Sequence, residues 1–433
     1  MRADLYRTVW RWHFYAGLLV LPFLGWLAVT GALYLYKGEI ERGFYASWMV
    51  ASPHDGPPTI APMIARVGRE TGGTVTQIVK PAATGEAWRA SLRLADGTRR
   101  MAFVDPADGH VLGITRPGGV MGLVKDLHSL AITGPIGNAL IEIAAGWAII
   151  LVLTGLYLWW PRGNHPAIGL RGQPRQRIFW RDLHASLGLL AGGIVLFLAI
   201  TGMPWSGVWG QSVQGWVTSH DLGRPRAPGG GGDHAGHEGM TSMPWATQRM
   251  VMPMEHMARA DIGPDRAIRA AEAAGLAGPW TLTLPTAMGK PYLFSATAGP
   301  AEEERTLYVA AGDGRILQDT PFIRYGAGAR WIDWGVQTHQ GLEYGEPNRL
   351  VMLGGCIALL LLVASAPVMW WKRRPAGRIG APPRPQTATR GLLGIMLVGG
   401  ALFPLTGLTM VAALLIDVGL RRATRRGSIP APA

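Results

Sequence analysis

The sequence predicts a membrane α-helical bundle built by internal duplication of a span–outer domain–span unit. A fifth hydrophobic segment and two small α+β extracytoplasmic domains complete it. Three observations carry this expectation: five long apolar stretches, a low charged fraction, and histidine-centred spacings that occur twice. Only 16% of the 433 residues are charged, against about 25% in ordinary soluble domains. Cys356 is the single cysteine, which excludes a disulfide scaffold, a Cys-rich zinc site and a thiolate iron–sulfur cluster. The net charge of +13 does not point to nucleic acid, because the arginines cluster beside apolar runs and topology accounts for them.

A membrane-crossing helix needs roughly 20 apolar residues. Stretches 14–36, 137–160, 184–205, 350–371 and 391–416 meet this, with no Lys or Arg in their interiors and one acid, Glu142, near the end of the second. The first is too long for the core of a signal peptide and is expected to be retained as an anchor. The segment 161–182 carries Arg162, Arg171, Arg175, Arg177 and Arg181 against Asp182, and 372–390 carries six basic residues and no acid. Arg2, Arg7 and Arg11 precede the first span. Positive charge stays on the cytoplasmic side, so 37–125 and 206–335 are expected outside, in a periplasm if the source is Gram-negative. The fifth segment, 391–416, leaves two alternatives open. Either Arg421, Arg422, Arg425 and Arg426 face outward against the rule, or Gly399, Gly400 and Pro404 break the segment into a re-entrant hairpin before the 417–433 tail.

The duplication is visible residue by residue. His13 and His184 are each followed by Gly-Leu-Leu four residues on and by Thr-Gly 17 residues on (Thr30-Gly31, Thr201-Gly202). His128, in the segment 126–160, and His339, in 336–371, are each followed by Trp-Trp at +31 and +32 and Arg at +34, with Thr154 and Ser365 matching at +26. The outer segments also correspond. Residues 60–70 and 264–274 have helical character. Strand-like runs follow at 75–80, 88–94 and 100–104 in one copy and at 280–284, 292–296 and 306–310 in the other. Asp108-Gly109 and Asp313-Gly314 make the corresponding turns. The second outer segment is longer by about 40 residues, attributed to a Gly-, His- and Met-rich insertion near 224–257.

Ionisable groups at membrane depth are costly and point to function. The duplication selects His13 and His184 at the cytoplasmic ends of spans one and three, and His128 and His339 before spans two and four. Two facing imidazoles suit six-coordinate haem b, an arrangement for electron transfer, whereas zinc asks for three or four ligands. One haem near each face would divide a core about 30 Å thick. The expectation is therefore two b haems, ligated by His13 with His184 and by His128 with His339. The Trp159-Trp160 and Trp370-Trp371 pairs are expected in the interfacial aromatic belt.

The His-x3-Gly-Leu-Leu pattern, Asp126-Leu127-His128-Ser129-Leu130 and Thr154-Gly155-Leu156-Tyr157-Leu158-Trp159-Trp160-Pro161-Arg162 resemble the PepSY-associated transmembrane helix family. The outer segments resemble PepSY domains. The resemblance runs to about Arg374 and implies haem-ligand roles for His13, His184, His128 and His339. It also implies a membrane metalloreductase that carries electrons outward to a ferric siderophore or another metal chelate, releasing iron. The electron donor, a separate reductase or membrane quinol, is unidentified; no dinucleotide or P-loop motif occurs.

Three further expectations stand beside this one. His234, His237 and His256 with Met240, Met243, Met250, Met252, Met254 and Met257 offer imidazole and thioether ligands suited to copper, or form a loosely packed Gly-rich loop. Trp331, Trp334, Arg324 and Arg330 are candidates for a chelate-docking surface, or membrane anchors. A non-enzymatic tether for two PepSY-like modules would need no cofactor.

Overall fold

The computed structural model describes residues 2–54, 56–160, 168–225, 261–287, 289–296, 299–375, 380, 382 and 390–426. In chain order it holds α1 (Arg2–Leu35), α2 (Lys37–Phe44), α3 (Ala46–Met49), α4 (Ile60–Thr71) and strands β1 (Thr74–Lys80), β2 (Trp88–Arg93), β3 (Arg99–Val104) and β4 (Val111–Thr115). Helices α5 (Gly119–His128), α6 (Gly134–Trp159), α7 (Arg177–Leu190), α8 (Gly192–Gly202), α9 (Val208–Ser219) and α10 (Pro264–Ala273) follow. The remainder is β5 (Trp280–Thr283), β6 (Tyr292–Ala296), β7 (Arg305–Val309), β8 (Ile316–Pro321), α11 (Ala327–His339), α12 (Gly345–Trp371), α13 (Arg390–Leu402) and α14 (Pro404–Arg426). Two compact units result. A helical unit contains Met1–Ala32, Leu127–Val213 and Leu350–Ala433, and a sheet unit contains Leu33–Asp126 and Gln214–Arg349.

In the helical unit, Asp4–Leu35, Ala131–Trp159 and Gly345–Trp371 are long and apolar enough to cross a membrane. The expected third span, 184–205, is not one straight helix. It belongs to a pair, Arg177–Leu190 and Gly192–Trp205, bent by 58°. The cause lies in Ala191-Gly192-Gly193, where adjacent glycines lower the cost of leaving helical geometry. The Ala191 N–H still bonds the Leu187 carbonyl at 2.8 Å and the Val195 N–H the Ala191 carbonyl at 2.9 Å, so the bend leaves these backbone groups satisfied. In the other copy the position equivalent to Gly193 is Pro22, and α1 runs through it unbroken.

The 391–416 segment takes the broken form. Helix α13 ends before Phe403 and α14 starts at Pro404, a residue suited to a first helical turn. The two helices fold back on each other, with Gly400 against Gly407 and Gly399 within reach of Met410. Small residues permit this close approach. Helix α14 also meets α6, where Trp147 Nε1–H donates to Thr409 Oγ1 at 2.9 Å. Trp147 and Met410 join Ala16, Val20, Leu24, Ala144, Ala148 and Ile150 in the buried core of this unit. Glu142, the acid inside the second span, is buried and satisfied. Its carboxylate accepts the Val208 and Trp209 backbone N–H groups at 2.9 and 3.1 Å, capping α9. The described residues thus form a multi-pass membrane protein.

The sheet unit departs from the expectation of two separate small domains. The two meanders join into one eight-stranded antiparallel sheet in the order β4-β3-β2-β1-β5-β6-β7-β8. The seam pairs Gln77 with Thr283, Ile78 with Leu282, Val79 with Thr281 and Lys80 with Trp280. A buried side-chain bond, Gln77 Nε2–H to Thr283 Oγ1 at 3.1 Å, crosses it. Each half carries a bulge at the same place, between Phe103 and Val104 and between Tyr308 and Val309. The turns that follow hold Gly109 and Gly314, both at φ +80°. A side chain at 109 would also press within 2.9 Å of Met63 Cα, so only glycine fits.

One core serves both halves. Ile60, Met63 and Val67 of α4 and Ala267 and Ala271 of α10 pack with Ile78, Ala90, Leu282, Phe294 and Leu307. Trp88 and Trp280 meet edge-on with centroids 5.6 Å apart. The other half also caps α4: Asp265 accepts the Ile60 and Ala61 N–H groups at 2.6 and 2.9 Å. Strand alternation sends Phe103 and Met101 to the opposite face, onto Tyr45 and Trp48. The insertion near 224–257 lies, beyond Pro225, outside the described residues.

Candidate cofactor site

His13 on α1 and His184 on α7 line one cavity of about 660 Å³ in the helical unit. Such a volume lies within the roughly 300–1,000 Å³ usual for cofactor and small-molecule sites. Leucines from α1, α6, α7 and α12 furnish much of the apolar wall, and Gly17, Gly155, Gly188 and Gly192 open it. A Cβ on Gly188 would enter open space, and one on Gly17 would meet nothing closer than Leu151 at 3.9 Å. These two glycines therefore keep room in the cavity instead of serving a tight helix contact.

Both imidazoles are held by hydroxyls from the partner span of their own copy. His13 Nδ1 lies 2.9 Å from Thr154 Oγ1 on α6, and His184 Nδ1 lies 2.9 Å from Ser365 Oγ on α12. His128, the last residue of α5, makes the corresponding contact with Thr30 Oγ1 on α1 at 2.8 Å. Its ring lies against Gly31, where a Cβ would stand 3.4 Å from His128 Cε1. His339 is the last residue of α11 in the sheet unit and is half-buried. The structure thus brings His13 and His184 to one cavity, while His128 and His339 fall in different units.

Sequence reasoning treated the basic segments as topology signals alone, yet Arg171, Arg177, Arg181 and Arg373 line the cavity. Asp182 engages two of them, accepting from Arg171 Nε at 2.8 Å and from Arg181 Nη2 at 2.8 Å. Arg373 instead lies over the Trp10 and Phe14 rings, 5.1 Å from each centroid. Burial and the positive charge of Arg177 both hold its guanidinium below the usual range. Two cations that raise each other's potential at a cavity wall favour an anionic group there. The +34 match of Arg162 with Arg373 was the available signal. The tryptophan pairs also depart from a pure belt. Trp160 and Trp371 are both exposed, with Arg374 3.5 Å above the Trp371 ring, and Trp159, Trp160 and Trp370 also line the cavity.

These features fit a haem: two imidazole nitrogen donors, an apolar slot opened by glycines, and cations for carboxylates. Among the described residues no group of three or more His, Cys, Asp or Glu side chains converges as a metal site. The copper candidates His234, His237, Met240, Met243, Met250, Met252, Met254, His256 and Met257 lie outside the described residues.

Of the docking candidates, Trp331 and Trp334 meet edge-on at 5.5 Å on α11, with Trp331 70% exposed. Trp334 Nε1–H donates to Tyr344 Oη at 2.8 Å. Arg324 is exposed and donates to the Asp319 carbonyl at 3.1 Å; Arg330 is half-buried on α11. Sequence reasoning missed the buried side of this helix altogether. Arg224 donates to Glu304 at 2.5 Å and to Asp333 at 3.0 Å, Gln337 donates to Glu304 at 3.0 Å, and Arg224 lies 3.8 Å over the Tyr325 ring.

No curated protein matches the chain. A family model described as the PepSY-associated TM region matches residues 10–373, a span that includes all four repeat histidines, the hydroxyls that hold three of them, and both halves of the sheet. The chain therefore belongs to the PepSY-associated transmembrane family.

Proposed function

We propose that this protein is a haem-dependent metalloreductase of a bacterial inner membrane, passing electrons from a cytoplasmic or quinol donor to a ferric chelate, such as a siderophore, on the periplasmic side. The observation that carries the proposal is the pairing of His13 and His184 on one glycine-opened cavity, each with Nδ1 already engaged. Haem held by two imidazoles would supply one-electron exchange.

The residues have distinct tasks. The imidazoles of His13 and His184 would hold the haem, each through Nε2, the nitrogen left by the hydroxyl contacts. Arg177 and Arg373, on the cavity wall, would attract its propionate carboxylates. The leucine-rich part of the wall lowers the local polarity, which would favour the less charged ferrous state. The sequence duplication gives His128 and His339 the same role for a second haem, and exposed Trp331 with Arg324 and Arg330 serves as an anionic-chelate surface. Reduction releases the metal because such chelates hold Fe(II) far less tightly.

The test is a haem-to-protein stoichiometry together with a reduced-minus-oxidised spectrum of the purified protein. Two b-type haems, reoxidised by a ferric chelate, are expected. A colourless preparation that takes up no haem overturns the proposal and leaves a membrane tether for the sheet unit.

A further inference from the structure

Resting on the haem reading above, we propose that a two-residue unit, a hydroxyl residue followed by a small one, sets the tautomer and donor strength of His13, His128 and His184. The argument begins with proton counting. Thr154 Oγ1 carries one hydrogen and donates it to the Ile150 carbonyl at 2.7 Å. Its 2.9 Å contact with His13 Nδ1 therefore needs the imidazole as donor. The same holds at His128, where Thr30 Oγ1 donates to the Trp26 carbonyl at 2.7 Å and lies 2.8 Å from Nδ1. At His184, Ser365 Oγ donates to the Leu362 carbonyl at 3.0 Å and lies 2.9 Å from Nδ1. All three rings are thereby fixed as the Nδ1–H tautomer, with the lone pair on Nε2.

The second residue of the unit sets the ring's position. A Cβ on Gly155 would stand 3.3 Å from His13 Cε1, and one on Gly31 3.4 Å from His128 Cε1. A methyl group at either position would touch the imidazole, and anything larger would displace it. Ala366 follows Ser365, and Thr201-Gly202 repeats Thr30-Gly31 in sequence. An intrahelical hydroxyl is a weaker acceptor than the carboxylate often found behind a metal-bound histidine, but it cannot be titrated away. It raises imidazole basicity by a fixed increment, which stabilises ferric over ferrous iron. Thr154, Ser365 and Thr30 are thus positioning residues for electron transfer.

The experiment is a redox titration of purified full-length protein carrying Thr154→Val, Ser365→Ala or Thr30→Val, with Thr154→Ser as the conservative control. Thr154→Val and Ser365→Ala are expected to raise the midpoint potential of the same haem, and Thr30→Val that of the other. Affinity for the affected haem should fall roughly 10- to 100-fold, and Thr154→Ser should restore both quantities. Should Thr154→Val not fold, Ser365→Ala, which removes one oxygen, supplies the measurement. Two haems with unmoved potentials in all three variants overturn this inference alone. A wild-type protein without haem overturns the function proposal and this inference together.

Discussion

Glu304→Gln isolates the energetics of the buried cluster behind α11. Glu304 is 3% exposed and shares Arg224 with Asp333, while Gln337 donates to it and Tyr325 covers the guanidinium. Burial, and next the nearby Asp333 charge, push the Glu304 carboxyl up to about 7 from an ordinary 4.5. Burial moves Asp333 in the same direction. Between those two pH values the folded protein holds a proton that the unfolded chain has released. Stability therefore falls as pH rises through this window and is level above it. A shift of that size corresponds to roughly 3 kcal/mol. The assay is hydrogen exchange of the β7 amides, Arg305–Val309, corrected for the intrinsic pH dependence of exchange. Wild-type protection should decline from pH 5 to pH 7, and Glu304→Gln should flatten most of that slope. Protection that is level or rising in the wild type, or an unchanged slope in the variant, refutes the reasoning.

Four further outcomes are expected. His13→Ala or His184→Ala should lose the haem of the shared cavity while the second haem persists, and His128→Ala or His339→Ala the reverse, read as haem per protein. Gly155→Val should drive the His13 ring from its place, costing about 1–3 kcal/mol of overpacking and lowering haem occupancy; unchanged occupancy in this variant contradicts the close packing. Asp265→Ala removes both carboxylate acceptors at the start of α4 and should cost about 0.5–2 kcal/mol, seen as faster exchange confined to that helix. Deleting residues 229–257 should abolish Cu(I) binding and leave the haem spectrum intact; copper affinity that survives the deletion removes the Met/His stretch as a ligand source.

Much of the architecture was legible because its signals are local. Apolar length marked α1, α6 and α12, and the period-two runs and Asp-Gly turns marked the strands to within a few residues. Pro404 beside Gly399 and Gly400 marked the break between α13 and α14 without deciding it. The bend at Ala191-Gly192 was hidden because glycines score as apolar in a span and their freedom matters only once neighbours pack. The β1–β5 seam was invisible for another reason. Gln77 and Thr283 are about 200 residues apart, and nothing in either strand's alternation names its partner. At the cavity, spacing identified His13 and His184, and even Thr154 and Ser365, but not that the second pair holds the first. The arginines of the wall were masked by their value as topology markers, and the Arg224 cluster by the distance in sequence between its members.

The seam has a consequence for how such a chain is divided. Strands β1 and β5 are interior strands in the joined sheet, yet each would become a naked edge if the two copies were made as separate polypeptides. Half-length fragments should consequently recombine through that edge, either with each other or with their own kind. Covalent fusion of the copies replaces a concentration-dependent association across that edge by an internal one.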